Sequence, residues 1–240
     1  MVSSESDLPS DFYNRLDAVD TALDGDPERA LVLAREVVAT YPEEPEPVLL
    51  LAEAQWQAGE REAARDTLRD LVARDPEYAD AHHALGCVYG ELGDEAAMVE
   101  SFLEVRRLDR AREAEGSEDW RAEEQLVVGA AEATLAALPD PFRERLAGVP
   151  IFVEDCPSEA MVRESFDPRA FGLFEGRDHR GELDSAPADR PTRIVLYAAN
   201  LVAEFGTGEE LADEVGVTVL HELGHYFGLD EDDLAELGLD

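Results

Sequence analysis

The chain has no lysine: all 20 of its basic residues are arginine, set against 57 acids for a net charge of -37 over 240 residues. No basic face exists to meet phosphates, so direct nucleic-acid binding is excluded as an expectation. Cysteine is scarce, with only Cys87 and Cys156 far apart, and a reduced, cytoplasmic compartment follows. Long apolar runs are missing too. The first residues, MVSSESDLPSDFY, carry acids rather than an apolar segment, and the longest uncharged apolar stretch is Ile194 to Ala203. Neither a signal peptide nor a membrane span is expected. The acids are not gathered into a tail. Residues 1–116 hold 28 acids and 11 arginines, and residues 117–240 hold 29 and 9. Even spreading points to a surface kept hydrated in a salty cytoplasm rather than a localised lure for basic partners. At 45% hydrophobic the chain still has the apolar content to bury real cores.

What is present first is a repeat. Gly25, Gly59 and Gly93 stand 34 residues apart, and Pro42 and Pro76 keep the same interval. Three units follow, roughly 11–44, 45–78 and 79–112, each with apolar residues at helical spacing on either side of its glycine. Each unit is therefore expected to be a helix pair. These units resemble tetratricopeptide repeats. The third is the best copy, with Leu85, Gly86, Tyr89, Gly93, Phe102 and Val105 in place, and the first is degenerate. The resemblance implies an all-α superhelix whose groove recruits a protein or peptide. Arg15, Leu49, Glu53, Trp56, His83 and Glu91 are expected to face that groove. They include no basic cluster, so a clamp for a terminal carboxylate is not expected. His82 and His83 read as ordinary helix residues.

A polar stretch, Arg110 to Trp120, marks a domain boundary and divides the chain into 1–116 and 117–240. Arg121 to Leu138 has helical periodicity and could belong to either side. Beyond it the texture changes to short apolar runs. Val149–Asp155, Phe171–Gly176 and Thr192–Leu201 are rich in Ile, Val, Phe and Tyr and predict strands. The loop between the last two holds His179, which reads as a solvated loop residue. A long helix is then expected, with Thr207 and Glu210 forming a capping box at its start and Gly228 stopping it. The chain as a whole is α+β: an all-α repeat array, then a small α+β domain with a short sheet and one long helix.

That helix carries His221, Glu222 and His225. Two imidazoles four residues apart leave one face of a helix about one turn apart, so both can reach one zinc ion. Glu222 suits a general base acting on a metal-bound water. Residues from about 118 onward resemble the minimal zincin-like metallopeptidases, on the segment ADEVGVTVLHELGHYFGLDEDD with VEDCP and RIVLY before it. The resemblance implies peptide hydrolysis with zinc as cofactor and an acidic third ligand at the position of Glu231, with Asp230, Asp232 and Asp233 as competitors. Met1, Met98 and Met161 all precede the motif, so the Met-turn of a full metzincin is not expected. A non-catalytic interaction scaffold with a degenerate zincin-like domain is the alternative. For an active peptidase, the substrate is expected along an edge strand such as Thr192–Leu201. The sequence leaves oligomeric state open.

Overall fold

The computed structural model describes residues 8–116, 120–146, 149–176 and 193–239. They divide into two compact units, Met1–Glu115 with Glu159–Ser165, and Gly116–Ser158 with Phe166–Asp240.

The first unit is built from three helix pairs: α1 (Ser10–Leu23) and α2 (Pro27–Thr40), α3 (Pro45–Gln57) and α4 (Arg61–Arg74), α5 (Ala79–Glu91) and α6 (Glu95–Gly116). Prolines open α2 and α3, where a missing N–H costs nothing. Gly59 and Gly93 turn their pairs at φ of +80° and +77°, a left-handed conformation that a side chain would resist. Gly25 turns its pair differently, at an ordinary φ and with Asp26 N donating to Ala22 O, which fits the degeneracy of the first unit. Cores form from Phe12, Leu16, Val19, Ala30, Leu31 and Ala34 in the first pair, and from Ala52, Ala64, Leu68, Leu85 and Val88 farther along. In the third pair, a Cβ on Gly86 would strike the Phe102 ring, so the two helices approach closely there.

The positions expected in the groove make contacts within the array, although none of them is buried. Leu49 and Trp56 pack against the second core, and Arg61 lies over the Trp56 ring at 5.2 Å. Arg15 pairs with Asp11 at 2.7 Å, and Glu91 with Arg61 at 3.8 Å. The His83 ring stacks on Phe102, and His82 Nε2 donates to the Pro76 carbonyl at 3.1 Å.

A short helix from the later sequence, α9 (Glu159–Arg163), groups with this first unit. Val162 is fully buried, Ser165 takes a φ of 72°, and the Ser165 hydroxyl donates to Glu95 at 2.8 Å.

The second unit begins with α7 (Trp120–Ala137) and α8 (Asp140–Leu146), followed by β1 (Ile151–Glu154), β2 (Gly172–Glu175) and β3 (Arg193–Tyr197). Then come α10 (Ala198–Phe205), α11 (Glu209–Tyr226) and α12 (Glu231–Glu236). The sheet order is β1-β3-β2, with β1 parallel and β2 antiparallel to β3. Val127 and Ala131 of α7 share one core with Ile194 and Leu196 of β3, Leu201 of α10, and Leu211, Val215, Val219 and Leu223 of α11. Each buried Val, Leu or Ile among them contributes roughly 1.5–3 kcal/mol. That core fixes the long helix against the sheet.

Three expectations are corrected. The run Thr192–Leu201 is not one strand: the chain is extended only to Tyr197, and Ala198 starts α10. A continuous apolar run suits a buried helix as well as a buried strand, and length alone did not separate them. The resulting strand is also central, not an edge, so it cannot receive a peptide by strand addition. Lastly, α11 starts one residue later than expected. Gly208 is its N-cap and no side-chain capping bond forms, so Thr207 and Glu210 make no capping box. His179 lies outside the described residues.

Candidate metal centre

The site is made by the last turn of α11 and the segment that returns across it. Helical spacing brings the His221 and His225 rings to a centroid distance of 4.7 Å, edge to face at 83°. Their Nε2 atoms are 3.0 Å apart. The opposite ring nitrogens face backbone carbonyls: His221 Nδ1 donates to Leu239 O at 2.5 Å, and His225 Nδ1 to Leu229 O at 3.2 Å. A carbonyl can only accept, so each Nδ1 carries the proton. In the neutral rings both Nε2 atoms then present lone pairs to each other. Two nitrogens at zinc's usual ~2.0–2.1 Å in a tetrahedral site stand about 3.3 Å apart, close to the observed spacing. The two imidazoles are thus spaced as two ligands of one ion would be.

Glu222 lies between the two histidines in sequence and is buried at 7% exposure. Its carboxylate sits against the first residue of β2: a Cβ on Gly172 would lie 3.0 Å from Glu222 Oε1 and 2.9 Å from Thr218 Cγ2. Only the missing side chain of Gly172 lets the strand come so close. Tyr197, at the end of β3, is fully buried, and its hydroxyl is held well above the ordinary tyrosine range. Burial is the main cause, followed by the nearby Glu154 and Glu175 carboxylates, with Glu222 a smaller contribution. Arg193 bonds Glu175 across the β2–β3 pair and partly opposes this. Asn200 of α10 braces the segment before β2, donating to Pro168 O at 2.9 Å and Ala170 O at 2.7 Å.

The acids after the helix have distinct places. Asp230 is the N-cap of α12, and its Oδ1 accepts from Asp233 N at 3.0 Å. Asp233 Oδ2 accepts in return from Asp230 N at 3.3 Å. Asp232 is exposed. Glu231 heads α12, and its side chain lies outside the described residues. Among the described residues no group of three His, Cys, Asp or Glu side chains comes together to hold a metal.

Sequence reasoning missed several structural participants. Gly224, between the histidines, has Leu234 of α12 packed directly on it, where a Cβ would collide with Leu234 Cδ2. Leu234 is fully buried. Gly172 and the Leu229 and Leu239 carbonyls also escaped notice. The glycine inside H-E-L-G-H was the only available signal.

Residues 146–239 match the family model of zincin-like metallopeptidases. Residues 22–86 and 79–112 match tetratricopeptide repeat models. The zincin-like match starts after α7, although α7 supplies Val127 and Ala131 to the same core. A comparison with curated proteins gives no match. Among the described residues no helix is long and apolar enough to cross a membrane. The chain thus joins a front half that resembles tetratricopeptide repeats to a back half that resembles the zincin-like metallopeptidases.

Proposed function

We propose that the second unit is a zinc-dependent peptidase and that the repeats recruit the protein or peptide it acts on. The observation that carries this is the histidine pair: both Nδ1 atoms donate to carbonyls, so two Nε2 lone pairs converge at 3.0 Å. His221 and His225 would hold the ion. Glu231 is the third ligand in this proposal, at the position that the resemblance to the zincin-like metallopeptidases gives it; Asp230 and Asp233 each commit one carboxylate oxygen to the cap of α12. Bound zinc supplies a water of lowered pKa, about 7, and polarises the scissile carbonyl.

The remaining chemistry belongs to the chain. Glu222 accepts the proton of the attacking water and returns it to the leaving amine. Its seat against Gly172 and Thr218 restricts the carboxylate to few positions. An extended peptide would lie along β2, the sheet edge beside that carboxylate, rather than along β3. Metal analysis with a peptidase assay on wild type and Glu222→Gln tests this. One zinc per chain, retained in the variant, with activity reduced about 10²–10⁴-fold, is expected. Undiminished activity in Glu222→Gln would remove Glu222 from its role.

A further inference from the structure

Two helix ends near the site are built alike. At the end of α11, Gly228 N donates to His225 O and Leu229 N to Gly224 O, both at 3.0 Å, with Gly228 at φ +80°. At the end of α12, Gly238 N donates to Ala235 O at 3.0 Å and Leu239 N to Leu234 O at 3.1 Å, with Gly238 at φ +69°. Both are Schellman stops, in which a left-handed residue reverses the chain and fixes the peptide that follows it. In each case the residue after the glycine offers its carbonyl to one histidine: Leu229 O to His225, Leu239 O to His221.

We infer that the Gly238–Leu239 stop is a positioning element of the metal centre, which sets the His221 tautomer and aims its Nε2 at the ion. This rests on the metal reading proposed above. The first stop follows the histidine helix directly and needs no explanation beyond ending it. The second does. It ends a separate six-residue helix, α12, which is anchored by Leu234 packing on Gly224 and capped by the Asp230–Asp233 pair. Its product is a carbonyl 2.5 Å from a ring nitrogen 18 residues earlier. Without that acceptor the His221 ring can rotate or place its proton on Nε2, and a protonated Nε2 cannot ligate. Carbonyl partners of this kind commonly contribute 10- to 100-fold to metal affinity.

Gly238 is a clean place to test this, because a Cβ there would meet nothing within 4 Å. A substitution acts through backbone conformation alone. Valine resists the left-handed region, whereas asparagine tolerates it. The full chain carries either change, and two quantities are measured. Long-range nitrogen–proton NMR of the zinc-free protein, above the ordinary histidine pKa of about 6.5, reports the tautomers. Competition with a chromophoric chelator, using zinc alone, reports affinity.

Wild type should show Nδ1–H in both histidines. Gly238→Val should shift His221 toward the other tautomer, leave His225 unchanged, and weaken zinc about 10- to 100-fold. Gly238→Asn should restore both readouts. An Nε2–H tautomer at His221 in wild type, or Gly238→Val matching wild type in tautomer and affinity, overturns the inference. If wild type holds its tautomers, Gly238→Val disturbs His221 and neither protein takes zinc, the metal reading falls and only the hold of the stop on the His221 tautomer stands.

Discussion

The contact between Gly224 and Leu234 makes a quantitative prediction about how α12 is held on α11. Gly224→Ala places a methyl in a helix interior, which by propensity alone stabilises by about 1 kcal/mol. Here the methyl would run into Leu234 Cδ2, and Leu234 is fully buried with little room to move. Overpacking of this kind costs roughly 1–3 kcal/mol, so the net change is a loss of about 0–2 kcal/mol. Leu234→Ala alone empties the seat and costs about 2–5 kcal/mol. In the double variant the new methyl enters space that the leucine has left. The propensity gain then survives without the clash, and the combined loss should fall short of the sum by about 1–3 kcal/mol. Hydrogen exchange resolved to the peptides of α11 and α12 is the assay, since it reads this unit apart from the repeats. The amides of Leu229 and Leu239, which bond to Gly224 O and Leu234 O, report the opening directly. Strict additivity of the two single changes would show that the side chains do not compete for one space, and the packing argument would fail.

Other expectations follow from charge and backbone. With a net charge of -37, thermal stability should rise as salt is added up to molar levels, and a fall would refute the reading of the acids as a salt adaptation. Tyr78 and Tyr197 are both held above the ordinary tyrosine pKa, chiefly by burial. The unfolded chain therefore releases these protons first, so the contribution of the two tyrosines to stability should be constant below about pH 10 and decline above it. Tyr197→Phe should flatten part of that decline in an alkaline denaturation series, and an unchanged slope would exclude Tyr197 as a source. In the repeats, Gly59→Ala should cost about 1–2 kcal/mol because φ is +80°, while Gly25→Ala should be neutral or slightly stabilising. Equal melting shifts for the two would contradict the assigned turns.

The repeats were legible because their signal is periodic: a glycine every 34 residues and apolar faces at helical spacing define helix pairs without any knowledge of contacts. The same holds for His221, Glu222 and His225, whose relation is set within one helix. What sequence could not show is set by partners far along the chain. Tyr197 and Ala198 lie inside one apolar run, and β3 changes to α10 between them although residues on both sides of the boundary are buried. Helix α9 could not be assigned to the repeat unit, because its ties run to Glu95, 70 residues before Ser165. The Leu229 and Leu239 acceptors are main-chain atoms, and every residue has a carbonyl.

The acidity of the chain also bears on why the candidate site has to rest on geometry. With 57 carboxylates, a divalent cation meets a favourable potential over the whole molecule, and salt screens that attraction beyond about 8–10 Å. Such a field concentrates cations without choosing among them. Hard ions such as magnesium and calcium are content with carboxylate and water, so discrimination requires donors they do not prefer. Imidazole nitrogens are such donors, and the chain has only five histidines. Two of those five are brought to 3.0 Å with their outer nitrogens tied to carbonyls, so the order of the rings is fixed before any ion arrives. Carboxylates nearby are meanwhile diverted: Asp230 and Asp233 cap a helix, and Glu175 bonds to Arg193. In a molecule where negative charge is everywhere, selectivity at the proposed centre comes from the type of donor and how firmly it is aimed.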